Sequence, residues 1–230
     1  MKLGLDFNEV VLYGRNLYEY VRMFSLLLSE DIPKKIVDCA GGPSSFNSEL
    51  TNLGGSIVSC DPIYALSKVK LEHKMNKTYK IIAKELAEKK ENATVDEFNS
   101  YNNICNLRLS AMEIFFNDYE KGKSEKRYVD AELPNLAFDS QQFDIALCAN
   151  FLFTYSHILT LEFHLDSIRE MARIAKEVRI FPVFSISGKK SEYLDSVIKV
   201  LLKENYTAQL LTVDYEIIKG ANQILIVSKS

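Results

Sequence analysis

Apolar positions along the chain follow two rhythms in turn. Leu17, Tyr20, Val21, Phe24, Leu27 and Leu28 recur at helical spacing and form one stripe. Asn16 with Glu19 three residues later is a capping box at its start. Asp31-Ile32-Pro33 closes it, because a residue before proline is pushed out of the α region. Short continuous apolar runs predict strands at 35–39 and 56–60, with a helix at 46–53 between them. Strand, turn, helix and strand in that order make a right-handed parallel crossover.

The alternation then breaks. Residues 65–127 contain no strand pattern. Leu66, Val69, Tyr79, Ile82 and Leu86 predict one amphipathic helix; Leu109, Met112, Phe115, Phe116 and Tyr119 predict another. Thr94 with Glu97 reads as a second capping box, and 122–126 as a polar turn. Strand rhythm returns at 128–130 and 143–149. A helix follows at 161–176, its core face holding Leu161, Leu165, Ile168, Ala172 and Ala175. A strand at 178–184 precedes a helix marked by Leu194, Val197, Ile198, Leu201 and Leu202. The last strands, 208–217 and 223–227, are joined by a turn containing Gly220. That turn is too short for a crossover helix, so the two are expected to be antiparallel neighbours. The whole reads as one α/β domain over 1–230. It is expected to be a three-layer αβα sandwich with a seven-stranded, mostly parallel Rossmann-like sheet, an antiparallel last strand and a helical insertion at 65–127. Long insertions of this kind often serve as lids or binding elements.

Composition narrows the function. With 47% hydrophobic residues the chain can build a sizeable core, and its net charge of −3 gives no global field for nucleic acid or an anionic membrane. Basic runs such as Lys34-Lys35 are short. No stretch approaches the ~18 apolar residues of a membrane span, and the first six residues lack a secretory pattern. A cytoplasmic protein is expected. Cys39, Cys60, Cys105 and Cys148 are scattered without a close pair and read as small buried hydrophobes in a reducing compartment. With only three histidines besides, no metal site is expected.

Candidate chemistry lies at the carboxyl ends of the strands, where open α/β sheets bind ligands. The first strand ends Asp38-Cys39-Ala40-Gly41-Gly42-Pro43-Ser44, small residues that let backbone approach a ligand closely. The second ends at Asp61-Pro62, nineteen residues beyond Gly42. An acid at that spacing can accept hydrogen bonds from two ribose hydroxyls. Asp130-Ala131-Glu132-Leu133-Pro134 follows the third strand, and Asn150-Phe151 the fourth.

In these pieces the chain resembles the class I S-adenosylmethionine-dependent methyltransferases, whose first motif is an acid followed by a glycine-rich turn. Here Ala40 and Ser44 stand where that family usually has glycine; Ser44 is expected to cap the next helix. The resemblance covers nearly the whole chain except 65–127. It implies that Asp38, Ala40, Gly41, Gly42, Asp61, Pro62, Asp130, Ala131, Asn150 and Phe151 bind S-adenosylmethionine, with Asp61 on the ribose and Asp130-Ala131 beside the adenine. Arg22, or Arg15 on the same first helix, would pair with the cofactor's carboxylate. Each has a plainer alternative: Asp38 and Asp61 as turn formers, Asp130 as a surface acid, Asn150 as a cap, the arginines as a solvated face. Tyr155 and His157 are candidate bases for an acceptor that must lose a proton, whereas His164 reads as a core histidine. The expected activity is methyl transfer to a small-molecule acceptor. No Asp/Asn-Pro-Pro-Tyr/Phe follows the fourth strand, which argues against the branches that methylate DNA amino groups or protein glutamine. Alternative readings are a non-catalytic interaction module on the same fold and, with an acid ahead of the turn and Phe46 in place of a third glycine, less favourably an NAD-binding oxidoreductase.

Overall fold

The computed structural model describes residues 12–92 and 95–229. The first helical stripe forms two helices, α1 (Leu17–Phe24) and the one-turn α2 (Leu28–Asp31). The expected capping box is present, with Asn16 Oδ1 accepting from Glu19 N–H at 2.9 Å and Glu19 Oε2 from Asn16 N–H at 3.2 Å. The stripe breaks at Ser25, which takes a left-handed conformation (φ 49°) and donates its N–H to Val21. That kink turns Leu26 into the core and leaves Leu27, expected on the buried face, 58% exposed.

Strand β1 (Lys35–Cys39), α3 (Phe46–Asn52) and β2 (Ser56–Cys60) form the parallel crossover. Two long helices follow, α4 (Lys68–Asn92) and α5 (Val95–Ser124). They pack as an antiparallel hairpin. Leu71 and Met75 of α4 meet Met112, Phe115 and Tyr119 of α5, while Ile82 and Leu86 meet Tyr101, Cys105 and Leu109. Val69, expected on the buried face of α4, is 75% exposed, because Leu71 and Met75 set that face instead. The expected polar turn at 122–126 is mostly the last turn of α5, with Gly122 buried where a Cβ would strike the Tyr128 ring at 2.3 Å. The Thr94–Glu97 capping box lies outside the described residues.

Strands β3 (Tyr128–Val129) and β4 (Phe143–Ala149) lead to α6 (Leu161–Ile174), β5 (Ala175–Phe181), α7 (Leu194–Lys203), β6 (Tyr206–Thr212) and β7 (Gln223–Lys229). Several expected boundaries move: β5 ends at Phe181 rather than 184, β6 begins at Tyr206 rather than 208, β7 runs on to Lys229, and two further shifts have clear causes. α6 runs into β5 without a loop, so the strand starts three residues early. The Gln141 N–H and side-chain amide hold the Arg173 and Ala175 carbonyls at 2.9 and 3.1 Å, which satisfies the helix end. The sixth strand stops at Thr212 rather than 217, since the chain leaves the ladder to bury Tyr215 against Phe181.

The sheet order is β3-β2-β1-β4-β5-β7-β6, with β7 antiparallel to both neighbours. Side chains along β4 alternate between the two faces. Ile145 and Leu147 join the core under α1 and α3 with Met23, Phe24 and Phe46. Ala146 and Cys148 join the core under α6 and α7 with Ile168, Met171 and Val197, as does Phe143 at the strand's first position, where the alternation has not yet begun. Both faces are covered, which is why the central strands read as unbroken apolar runs. All four cysteines are buried with free thiols. No described helix is long and apolar enough to cross a membrane.

Candidate functional site

A cavity of about 550 Å³ opens over the carboxyl ends of β1, β2, β3 and β4. The turn after β1 contributes Ala40, Gly42 and Pro43; the end of β2 contributes Asp61, Pro62 and Ile63. Ala131, Glu132, Leu133 and Pro134 form the wall after β3, and Ala149, Asn150 and Phe151 that after β4. Leu12, Tyr13, Leu66, Lys74 and Phe163 complete the lining, with Lys74 reaching in from α4. Of the residues singled out from sequence, seven meet here: Ala40, Gly42, Asp61, Pro62, Ala131, Asn150 and Phe151.

The turn is shaped by two different requirements. Gly42 has φ +55°, and a Cβ built there meets nothing within 4 Å, so the glycine leaves open space. Gly41 is buried, and a Cβ there would lie 2.6 Å from Asp38 Oδ2 and 3.0 Å from the Tyr64 hydroxyl. Ala40 holds a left-handed conformation (φ 57°), as does Asn150 (φ 53°) at the end of β4. Non-glycine residues rarely adopt that region, and such strain gathers at functional sites.

Asp61 fastens the turn to β2. Its Oδ2 accepts from Gly42 N–H at 3.0 Å and its Oδ1 from Ile63 N–H at 2.9 Å. Burial pushes its pKa above the usual carboxylate value, although the Ile63 and Gly42 amides and the Lys74 charge pull the other way. Each oxygen keeps acceptor capacity facing the cavity side of the turn.

Asp38 sits beneath the turn instead of in the cavity. It is fully buried and accepts from the Tyr20 hydroxyl at 3.1 and 3.2 Å and from Ser59 Oγ at 3.3 Å. Burial lifts its pKa to about 7, against the pull of those two hydroxyls. Asp130 is exposed, and Ala131 and Glu132 line the cavity in its place. Ser44 does not cap α3; its hydroxyl donates to the Arg15 carbonyl, and Ser45, the residue that flanks the helix, donates to Glu49 at 2.7 Å.

Arg22 points away, pairing with Asp214 at 3.2 Å and stacking on Tyr18 and Tyr215. Arg15 belongs to a buried group that no local pattern announces. Arg108 of α5 pairs with Glu19 of α1 at 2.5 Å, and the Tyr215 hydroxyl donates to the other Glu19 oxygen. Burial alone would raise the Glu19 pKa, but the Arg15 and Arg108 charges outweigh it and hold the carboxyl below its usual value. Tyr155 is buried and lines a second, smaller cleft beside the cavity; His157 is exposed and lines neither. The His164 ring is fully buried, with Nδ1 2.7 Å from the Thr160 carbonyl and Nε2 3.1 Å from that of Leu152, as a core histidine should be.

The sheet order, the reversed seventh strand and a ligand-sized cavity over the strand ends define a Rossmann-like αβα domain. The chain is 37% identical over 227 residues to the uncharacterised protein MJ0045 of Methanocaldococcus jannaschii, spanning 98% of this chain and 99% of that one, and belongs to its family. No family model matches the chain. Among solved structures it is similar to the PH0226 protein of Pyrococcus horikoshii (13% identity, 86% of this chain and 82% of that one, TM-score 0.44). It is also similar to magnesium protoporphyrin IX methyltransferase of Synechocystis PCC 6803, solved with SAH bound (11%, 86% and 74%, TM-score 0.45). A methyltransferase of Aquifex aeolicus is a third (14%, 91% and 90%, TM-score 0.42). Likenesses this remote say nothing of activity.

Proposed function

We propose that this chain is an S-adenosylmethionine-dependent methyltransferase acting on a small molecule. The observation that carries the reading is the turn at Ala40–Gly42 tied to Asp61. It is a backbone cradle with open space where a Cβ at Gly42 would be, next to a carboxylate at ribose-binding spacing. The cavity wall carries two carboxylates, Asp61 and Glu132, beside the ammonium of Lys74, a mixed setting for a ligand that carries both signs of charge. S-adenosylmethionine, when bound, supplies a methyl group already activated on a sulfonium.

The remaining work falls to this chain's residues. Ala40 and Gly42 admit the ligand close to the backbone. Asp61 accepts from the ribose hydroxyls, and Ile63, Ala131 and Leu133 form apolar walls for a purine. Asn150, held by its N–H to the Phe181 carbonyl at 2.6 Å, stands between the cavity and the neighbouring cleft. Orientation and exclusion of water are the main demands of such a displacement, and the 65–127 hairpin contributes to the latter through Leu66 and Lys74 at the rim. A dedicated base is needed only where the acceptor gives up a proton; that Tyr155 lines the neighbouring cleft and His157 does not supports Tyr155 as the candidate. A small acceptor fits a pocketed site on a chain of net charge −3.

Calorimetric titration with S-adenosylhomocysteine tests the reading. The native chain is expected to bind, and Asp61→Ala to bind at least about tenfold more weakly, the loss of one charge-assisted contact. Failure of the native chain to bind overturns it.

A further inference from the structure

The second cleft, about 130 Å³, lies over the ends of β4 and β5 and shares Tyr13 and Asn150 with the main cavity. Its walls are mostly apolar, including Tyr155, Phe181, Phe184 and Ile218. Arg15, Asn150, Thr154 and Ser185 interrupt them, and two of these four, Thr154 and Arg15, have a buried polar atom short of partners. Thr154 Oγ1 is buried and makes no hydrogen bond. Arg15 Nε is likewise buried without a hydrogen-bond partner among the described residues, where its guanidinium makes one long hydrogen bond, 3.3 Å to the carbonyl of Gly14.

The charge count sharpens this. Arg15 and Arg108 share one buried carboxylate, Glu19, and Arg108 takes the close pair at 2.5 Å. Arg15, half-buried on the wall of a cleft, thus shares the field of Glu19 with Arg108 but has no close ion pair of its own among the described residues. Buried charges are normally paired, and a planar guanidinium pairs best with a planar anion. Arg15 lines this cleft and a further one of about 90 Å³ that it shares with Arg108, but not the main cavity; Thr154 lines the first of these alone, which favours a partner entering beside the cofactor's place.

We propose that the methyl acceptor carries an anionic group of the carboxylate class, bound by Arg15 with Thr154 as a second donor. This rests on the methyltransferase reading above. The cleft's volume limits the buried part of the acceptor to about one substituted ring, well under the ~300 Å³ of pockets for drug-sized ligands.

Benzoate and its uncharged isostere benzamide probe the cleft by chemical-shift titration, with and without saturating S-adenosylhomocysteine. Benzoate is expected to bind about tenfold or more tightly than benzamide, to lose that advantage in Arg15→Gln, and to lose part of it in Thr154→Val, with S-adenosylhomocysteine affinity unchanged in both variants. Equal binding of the two probes to the native chain overturns the proposal without recourse to any variant. So does an Arg15→Gln chain that binds S-adenosylhomocysteine more weakly while benzoate is unaffected, which would give the guanidinium to the cofactor's own carboxylate. If S-adenosylhomocysteine does not bind at all, the methyltransferase reading fails. The benzoate and benzamide comparison on the ligand-free chain still decides whether Arg15 is an anion site.

Discussion

Replacing Asp38 by asparagine should make the protein more stable above neutral pH and change how stability varies with pH. The carboxyl is fully buried under the glycine turn, with a pKa lifted from 3.8 to about 7. Between those values the native chain holds a proton at this site that the unfolded chain releases. Stability from this group is therefore full below pH 3.8 and is lost as pH rises to about 7. At about 1.36 kcal/mol per pKa unit, the full loss is about 4 kcal/mol. Asparagine has the same shape and stays neutral, and the Tyr20 and Ser59 hydroxyls that face Asp38 can still bond to its amide oxygen. Urea unfolding of both chains at intervals from pH 5 to 8.5 measures the difference. The variant should gain on the native chain by roughly 1.4 kcal/mol per pH unit up to about pH 7, then hold steady. Parallel stability curves across that range would refute the reasoning, since they would mean that Asp38 titrates alike in both states.

Gly42→Ala, at φ +55°, should lose about 1–2 kcal/mol of stability and, with a methyl in the cradle, most of its affinity for S-adenosylhomocysteine, read by calorimetry. Ala40→Gly relieves the same kind of strain at φ 57° and should raise stability by about 0.5–1 kcal/mol in a urea titration. Arg108→Met leaves Glu19 inside with its close partner gone. It should cost about 3–5 kcal/mol, and combining it with Glu19→Gln should cost less than the two single losses together.

Much of the fold was legible because it is written locally. A buried parallel strand needs only a run of apolar residues, and β1, β2 and β4 begin and end where those runs do. The glycine turn and Asp61 were legible for a related reason, since both are fixed by the strand that precedes them. What escaped depends on distant partners. Nothing near Asp38 says that Tyr20 and Ser59 will enclose it. Arg15 and Arg22 look alike at the two ends of α1, yet only the fold decides that one lines a cleft and the other meets Asp214. Lys74 and Glu132 reach the cavity through the placement of α4 and the loop after β3; only Glu132, adjacent to Ala131, gave a hint. The Ser25 break hid inside an otherwise regular stripe, because serine carries no strong stop signal.

The bond between Glu19 and Tyr215 spans 196 residues. On the ribosome, at about 5–20 residues per second, some 10–40 seconds separate the synthesis of its two ends. During that interval α1 must carry a carboxylate and an arginine whose surroundings do not yet exist. Final closure around α1 thus waits until Tyr215 has emerged. A nascent chain lacking the final two strands should leave this end of the molecule open to proteases and chaperones, however complete the central sheet already is.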